Sequence, residues 1–226
     1  MVDSKTASLI KYLQNFLSPE RIEKIDRNIK NRTRYITILL ENIYQSQNAS
    51  AVLRSAECLG IQDIHVVENE NSFEVNSEIS MGAAKWLTIH RYNSQPHNTV
   101  TAIRKLKDDG YQVIATMPHE NECMIDDIKL SKPIVFMFGT ELTGLSNEAI
   151  AEADGFVKIP MYGFTESFNI SVSAALVMQS IVTRLRKTDV QWQLTDFEQQ
   201  ELMLEWYRKS LKTPDMIIDR FMSQSI

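Results

Sequence analysis

Five polar side chains in three separate segments could carry out chemistry together. Asn48 and Arg54 lie in NASAVLR, Glu141 lies in FGTELTGLS, and Ser167 and Asn169 lie in TESFNIS. An arginine guanidinium can hold a phosphate in a fixed fork, so a helix that begins at a strand end could point Arg54 into a cleft for that purpose. The functional interpretation of Arg54 is therefore a residue that binds a phosphate group.

The glycines single out the same part of the chain. Of the seven glycines in 226 residues, four lie between residues 134 and 181. Glycine permits tight turns and close approach to the backbone, and loops at strand ends commonly carry function. Gly139 directly follows the apolar run IVFMF, and Gly163 follows Pro160 in the next loop. We therefore expect the site to lie in this stretch.

Each polar residue also has a more ordinary interpretation. Asn48 could be the N-cap of the helix whose apolar stripe follows it, and Asn169 or Ser171 could cap a later helix. Arg54 lies off that apolar stripe and could be a surface arginine, while Glu141 could be a solvent-facing loop residue. Residue types alone leave both interpretations open.

The elements that must position these residues alternate between strands and helices. The hydrophobic pattern predicts strands at residues 35–40, 64–67, 86–90, 112–116, 134–138 and 156–159, and helices at residues 49–59, 100–107, 146–151 and 171–187. Two short helices, separated at Ser18 and Pro19, precede the first strand, and one or two amphipathic helices follow the last long helix. This order predicts an α/β fold with a mainly parallel sheet and helices on both of its faces.

Composition indicates a globular chain with one substantial core. It is 43% hydrophobic and 23% charged, and no run approaches the roughly 18 apolar residues of a membrane span. The first residues lack the apolar stretch of a signal peptide, so we expect a cytoplasmic protein with no membrane partner. Cys58 and Cys123 are expected to be free thiols, and the sequence predicts no metal site.

Charge divides the chain into three regions. The net charge is −5, which argues against indiscriminate binding of nucleic acid. Residues 1–34, however, carry eight basic and four acidic side chains, and we expect them to form a basic helical extension. Residues 35–187 form the expected α/β domain, and residues 188–226 form a helical C-terminal extension that is acidic. The ordinary interpretation of the basic clusters is a solvated helix surface.

Taken together, the three segments resemble the three sequence motifs of the SpoU or TrmH family of RNA ribose 2'-O-methyltransferases, in the SPOUT superfamily. NASAVLRSAECLG is similar to the first motif, in which an Asn is followed six residues later by an Arg and a helix that ends in Gly. FGTELTGLS keeps the GxExxG frame of the second, and IPMYGFTESFNISVSAA follows the outline of the third. Three motifs in order are far more specific than one. The resemblance covers about residues 35–187 and points to the tRNA methyltransferase branch.

The resemblance implies a C-terminal trefoil knot, formed by the second and third motif loops, that binds S-adenosylmethionine. The cofactor would lie against Thr116, Gly139, Ile159 and Phe168, where Phe168 stands in place of the leucine that relatives often have. A general Rossmann site would require a GxGxxG turn after the first strand, and the sequence has none there. That difference favours the knotted class.

The resemblance assigns catalysis to Arg54, with Asn48, Glu141, Ser167 and Asn169 completing the site. Because a guanidinium stays protonated, we expect Arg54 to position a substrate phosphate and to stabilise the developing oxyanion, while the 2'-hydroxyl proton leaves to that phosphate or to water. Family members are dimers with sites at the subunit interface. We therefore expect a homodimer in which Arg54 can serve the cofactor of the partner.

RNA is the implied partner, and the lack of a large N-terminal RNA-binding domain favours tRNA, with a guanosine of the D-loop as the target. The basic residues implied to contact RNA phosphates are Arg21, Lys24, Arg27, Lys30, Arg32, Arg34, Arg184 and Arg186. Three alternatives stay open: ribosomal RNA as the substrate, a knotted RNA-binding protein without catalysis, and a hydrolase that uses Ser167. The hydrolase is the least supported, since the chain lacks a GxSxG motif.

Overall fold

The computed structural model describes residues 4–117 and 123–224, which form two compact units. One unit consists of the described residues in Arg34–Trp192. The other consists of the described residues in Met1–Thr33 and Gln193–Ile226. The two terminal segments, which the sequence presents as separate extensions, therefore fall within the same unit.

The larger unit is built on a parallel sheet. Its strands are β1 (Ile36–Glu41), β2 (Asp63–Val67), β3 (Thr88–Tyr92), β4 (Gln112–Thr116), β5 (Cys123–Met124), β6 (Ile134–Phe138) and β7 (Gly155–Lys158). Within the described residues they form one seven-stranded sheet in the order β3-β2-β1-β6-β4-β7-β5, and every neighbouring pair is parallel. The prediction of an α/β fold with a mainly parallel sheet is confirmed.

Helices account for most of the remaining described chain. They are α1 (Ser4–Gln14), α2 (Pro19–Ile29), α3 (Ser46–Leu59), α4 (Ser77–Ser80), α5 (Thr99–Asp108), α6 (Asn147–Glu152), α7 (Ile170–Leu185), α8 (Asp196–Ser210) and α9 (Pro214–Gln224). Short 3-10 helices cover Ala83–Trp86 and Ile125–Asp127. In the described parts of the chain, none of these helices is long and apolar enough to cross a membrane.

Both faces of the sheet are buried, and the side chains of each strand point to the two faces in alternation. In β1, Ile38 and Leu40 pack in the cluster that includes apolar residues of α3 and α7, whereas Leu39 packs with residues of α5 and α6. All six residues of β1 are buried. Helices therefore cover both faces, as a parallel sheet requires.

Two of the helix caps that the sequence suggests are present in the structure, and a third is not. Gly60 ends α3 in the left-handed conformation at φ 80°, as the sequence predicts. Asn169 caps α7 through a hydrogen bond from the Ser171 amide. The interpretation of Asn48 as a helix N-cap is wrong: α3 begins at Ser46 with Gln45 in the cap position, so Asn48 lies inside the first turn.

The smaller unit contains α1, α2, α8 and α9, which confirms the predicted terminal helices. Ser18 caps α2 and Pro19 occupies its first turn, where a missing amide proton costs nothing. Thr195 and Glu198 form a reciprocal capping box at the start of α8. The fully buried side chain of Trp206 gives this unit its own apolar centre.

Candidate active site

Three loops meet at the edge of the sheet where its strands end. Leu40 lies beside Phe138 in the register of β1 and β6, and Ala115 of β4 lies beside Met137. Because the strands are parallel, the chain leaves all of them at the same edge. The segments that follow β1, β6 and β7 carry the first, second and third motifs. Ligands of open α/β sheets bind at this kind of edge.

Asn48 is the centre of a hydrogen-bonded group that joins the three loops. Its side-chain nitrogen donates to a carboxylate oxygen of Glu141 and, at 3.1 Å, to Oε1 of Gln45. Its side-chain oxygen accepts from Nδ2 of Asn169 at 3.1 Å. Only 8% of Asn48 is exposed, so the polar atoms of this amide are bound by protein groups and shielded from water. The structure thus brings together three of the five polar residues that the sequence singled out.

Asn169 has both of the roles that its sequence position allows. Its Oδ1 accepts from the backbone amide of Ser171 at 2.9 Å and from the Ser171 hydroxyl at 2.6 Å, which fixes the start of α7. Its Nδ2 remains available and donates to Asn48. The capping bonds set the orientation of the amide, so the ordinary and functional interpretations support each other.

The loop between β6 and α6 closes by backbone contact. A Cβ atom built on Gly139 would lie 2.0 Å from the carbonyl oxygen of Gly144, so only glycine fits. Thr140 and Gly144 exchange two backbone hydrogen bonds of 3.0 and 3.1 Å, and Gly144 has φ 70°. The two glycines of GxExxG therefore make a tight closure that holds Glu141 at its exposed tip.

Arg54 and Ser167 are exposed and do not join the Asn48 group. Within residues 4–117 and 123–224, neither side chain has a hydrogen bond or an ion pair. Arg54 projects from α3, the helix that also carries Asn48. An exposed guanidinium with no bond to other described residues is available to bind an anion.

The residues expected to bind the cofactor lie along the same strand ends. Thr116, Gly139 and Ile159 end or follow the adjacent strands β4, β6 and β7, and all three are partly buried. The Thr116 hydroxyl donates to the carbonyl of Met137 at 2.7 Å, which ties β4 to β6. Phe168 lies in the loop before α7, with 41% of its surface exposed. Backbone groups at strand ends and an open aromatic ring are compatible with an adenine-bearing cofactor.

The basic residues differ in their environments. Arg21, Lys24, Arg27 and Lys30 are exposed and recur every three residues along α2 and its end. Arg32 is only 2% exposed, and its guanidinium lies 5.0 Å from the ring centre of Trp206. Exposure therefore sets the α2 residues apart from Arg32.

The remaining three arginines make contacts inside the larger unit. Arg34 is ion-paired to Asp63, with 2.9 Å between Nε and Oδ2. The Arg184 guanidinium donates to the carbonyl of Ile125 at 2.7 Å and to that of Ile128. Arg186 is exposed, and its guanidinium lies 4.9 Å from the ring centre of Trp192. Contacts of this kind fix side chains in place through packing as well as charge.

Two polar residues of this region were not singled out by the sequence. Gln45 holds Asn48 through its side-chain oxygen, a contact that no residue pattern signals. Glu41 is a carboxylate that directly follows the mainly apolar residues 36–40, and this abrupt change from apolar to charged could have marked it. Glu41 is buried, and it accepts hydrogen bonds from Ser146 at the end of that motif.

Known proteins are similar to this chain in sequence and in fold. A sequence model described as the SpoU rRNA Methylase family matches residues 35–179. A tRNA (guanosine(18)-2'-O)-methyltransferase from Borreliella burgdorferi is 39% identical over 216 residues, which cover 96% of this chain and 97% of that protein. The crystal structure of the A. aeolicus TrmH/SpoU tRNA modifying enzyme has a TM-score of 0.76 at 25% identity, covering 85% of this chain and 97% of the other.

One further solved structure carries the cofactor. It is the SpoU methyltransferase AviRb from Streptomyces viridochromogenes in complex with AdoMet, with a TM-score of 0.60. The match covers 72% of this chain and 65% of the other, at 23% identity. At that identity the two proteins share the fold.

Proposed function

Because this chain belongs to the SpoU methylase family, we propose that it methylates the ribose 2'-hydroxyl of a guanosine in the D-loop of tRNA, with S-adenosylmethionine as the methyl donor. The similar protein from Borreliella burgdorferi is named for guanosine 18 of tRNA, and we propose the same target here. The observation that carries the proposal is the Asn48 group, since it unites Glu141 of the second motif with Asn169 of the third.

The cofactor would supply a methyl group that is bonded to a positively charged sulfur. When that bond breaks, the neutral thioether is an excellent leaving group. The residues that would hold it are Thr116, Gly139, Ile159 and Phe168. Three of them share the strand ends of β4, β6 and β7, and Phe168 adds an accessible ring. The protein must then mainly orient the two reactants, which is the contribution expected of a rigid, hydrogen-bonded set of loops.

In this proposal Arg54 holds the phosphate next to the target ribose and stabilises the negative charge that develops on the 2'-oxygen. Its exposure and its lack of a partner within the described residues support that role. Asn169 and Ser167 would orient the ribose or the arginine, and Glu141 would hold the loop of the second motif against Asn48. The proton of the hydroxyl leaves to the substrate phosphate or to water.

We further propose that the second and third motif loops form a trefoil knot and that the active protein is a cytoplasmic homodimer. Large apolar side chains support the dimer: Leu142, Tyr162 and Phe164 are 97%, 96% and 108% exposed. Val172 and Leu176 are exposed along α7 as well. Exposed apolar side chains of this size are typical of a protein contact. In the dimer, Arg54 would serve the cofactor of the partner.

The basic residues of α2 and the residues near the end of α7 would contact phosphates of the RNA. Arg21, Lys24, Arg27 and Lys30 would make the main contacts, because they are exposed and regularly spaced. Arg32 and Arg184 would contribute less, because their guanidinium groups already have protein partners. Phosphate contacts of this kind predict binding that weakens as salt increases.

The test is methyl transfer from radiolabelled S-adenosylmethionine to unmodified tRNA and, separately, to unmodified ribosomal RNA. Arg54→Ala is the informative variant, and Arg104→Ala is its control because Arg104 is an exposed helical arginine ion-paired to Glu152. We expect label in tRNA with the wild type and with Arg104→Ala, and almost none with Arg54→Ala. A tRNA whose nucleotide 18 carries a 2'-deoxyribose should not accept label.

Each other outcome changes a different part of the proposal. Label only in ribosomal RNA would keep the chemistry and overturn the substrate. Label in neither RNA, with cofactor still bound, would favour an RNA-binding protein without catalysis. Full activity of an Arg54→Lys variant would overturn the proposed role of the arginine, since lysine lacks the planar fork.

A further inference from the structure

The side chain of Glu41 is a buried carboxylate beneath the second motif loop. It is the last residue of β1 and only 2% exposed. Its Oε2 accepts from the backbone amide of Ser146 at 2.9 Å, and its Oε1 accepts from the Ser146 hydroxyl at 2.7 Å. The hydroxyl of Thr99 also donates to Oε1, at 2.6 Å. Three donors therefore converge on the two oxygens of this one side chain, which together can accept all three hydrogen bonds.

The same carboxylate is connected to the first motif loop. Thr99, at the start of α5, accepts a hydrogen bond from Nδ2 of Asn69 at 2.9 Å. The backbone amide of Asn69 donates to the side chain of Asn42 at 2.8 Å. Asn42 follows Glu41 directly and has φ 54°, a left-handed conformation that asparagine tolerates better than most residues. A continuous polar network therefore fixes the point where the chain leaves β1.

Ser146 is where the second motif loop ends and α6 begins. The other closure of this loop is the contact between Gly139 and Gly144. With Ser146 held by Glu41, the loop is fixed near its start and at its end, and Glu141 at the tip has little freedom. Glu141 in turn bonds to Asn48, which lies seven residues after Glu41 in the chain.

We infer that Glu41 is a positioning residue for the proposed methyl transfer. Glu41 acts through Ser146 and the second motif loop to place Glu141 against Asn48. This inference rests on the proposed function for its catalytic part. Its structural part, the anchoring of the loop, stands on the contacts alone.

Glu41→Gln is the informative substitution because it preserves size while reversing one hydrogen bond. An amide oxygen can still accept from the two hydroxyls, but the amide nitrogen would then face the backbone N–H of Ser146, donor against donor. Asp154→Asn is the matched control. Asp154 also accepts from a backbone amide, that of Val113 at 2.8 Å, but it does so at the opposite edge of the sheet.

The first experiment measures amide hydrogen exchange in the full chain without cofactor. We expect the amides of Thr140, Gly144 and Ser146 to exchange at least about tenfold faster in Glu41→Gln than in the wild type, because exchange reports local opening. Asp154→Asn should leave these amides unchanged. If Glu41→Gln does not fold, Thr99→Val removes one donor without a change of shape and should accelerate the same amides by a smaller factor. Unchanged exchange in the folded variants would overturn the inference.

The second experiment is a double-mutant cycle on methyl transfer to tRNA with Glu41→Gln and Glu141→Gln. If Glu41 acts by placing Glu141, Glu41→Gln should lower kcat at least about fivefold in the wild-type background and less than about twofold when Glu141 is already replaced. The KM for tRNA should change little in either background. Equal losses of kcat in both backgrounds would show a general structural effect and overturn the positioning role.

The two experiments separate this inference from the proposed function. A wild-type protein that transfers no methyl group to any RNA would defeat the proposed function, and the exchange data would still decide whether Glu41 anchors the loop. An active wild type with an additive cycle would leave the proposed function intact and defeat the inference.

Discussion

The side chains of Asn48 and Asn169 are hydrogen-bonded to each other at 3.1 Å, although 121 residues separate them in the chain. One lies in the first turn of α3, and the other caps α7. Both helices pack on the same face of the sheet, where their small residues Ala56 and Ala174 are fully buried. The contact therefore reports whether the first and third motifs are correctly assembled.

Replacing Asn48 by aspartate should disrupt this assembly. The variant cannot donate to Glu141 or Gln45, and it places a second carboxylate beside Glu141. We expect kcat for tRNA methylation to fall at least about tenfold, a loss of about 1.4 kcal/mol or more, and the free energy of unfolding to fall by about 1–3 kcal/mol. Steady-state kinetics and urea unfolding measure the two effects. Asn15→Asp, at an exposed asparagine, is the control, and an unimpaired Asn48→Asp enzyme would contradict the role of this group.

Replacing Gly139 by alanine should open the second motif loop. The added methyl group meets the backbone carbonyl of Gly144, which cannot rotate away like a side chain. We expect a loss of about 2–3 kcal/mol in unfolding free energy, as for overpacked sites, together with loss of cofactor binding in calorimetry. Gly163→Ala is the comparison for stability, because no atom lies closer than 4.0 Å to its added Cβ. Equal stability of the two variants would argue against the backbone closure.

The stacked pair His65 and His90 should make stability depend on pH. Burial, and secondarily the charge of His90, lower the pKa of His65 from 6.5 to about 4. Between these values the unfolded chain binds a proton at His65 that the folded protein does not, so stability rises with pH. The stabilisation is complete above about pH 6.5 and is lost as the pH falls towards 4, a difference on the order of 2–3 kcal/mol.

Urea unfolding at pH 7 and pH 4.5 measures this difference. In His65→Phe, which keeps a ring that can stack on His90, the loss of stability between the two pH values should be smaller than in the wild type. His97→Gln, at an exposed histidine, should behave like the wild type. An unchanged loss in His65→Phe would assign the pH dependence to other groups.

The exposed cations of α2 should contribute to the salt dependence of tRNA binding. In the double variant Lys24→Ala and Arg27→Ala, the slope of log affinity against log salt should become shallower by about 1 to 2, since each phosphate contact contributes roughly 0.7–0.9. Binding titrations from low to high KCl measure the slope. Lys105→Ala, which removes an exposed cation of α5 that is paired with Asp109, should leave the slope unchanged. The same slope in all three proteins would show that α2 does not contact the RNA.

Periodicity was sufficient to predict the main elements of the sheet, because their signals are local. β4 and β6 have the predicted bounds, since each is a short apolar run that ends in a turn. The two-residue strand β5 and the single turn of α4 were not predicted, because neither is long enough to establish a hydrophobic period. Whether the second and third motif loops form a knot is likewise not a local property of the sequence.

The same distinction between local signals and long-range contacts applies to the candidate site. Its polar residues could be identified from three motifs, but their partners depend on contacts across the fold. Asn48 had an ordinary interpretation as a helix N-cap beside its place in the expected site, and its side chain links two distant loops. The resemblance implies that Arg32 and Arg184 contact RNA phosphates, and nothing local in the sequence shows that one guanidinium lies over Trp206 while the other binds backbone carbonyls.

The closure of the second motif loop has a consequence for how such sites can diversify. Gly139 and Gly144 meet backbone to backbone, so the path of the loop does not depend on the side chain of Leu142, which is 97% exposed. That residue can change its size, charge or shape while the carboxylate of Glu141 keeps its place beside Asn48. Position 142 is therefore a point at which the proposed subunit contact can change its chemistry while the path of the loop stays the same.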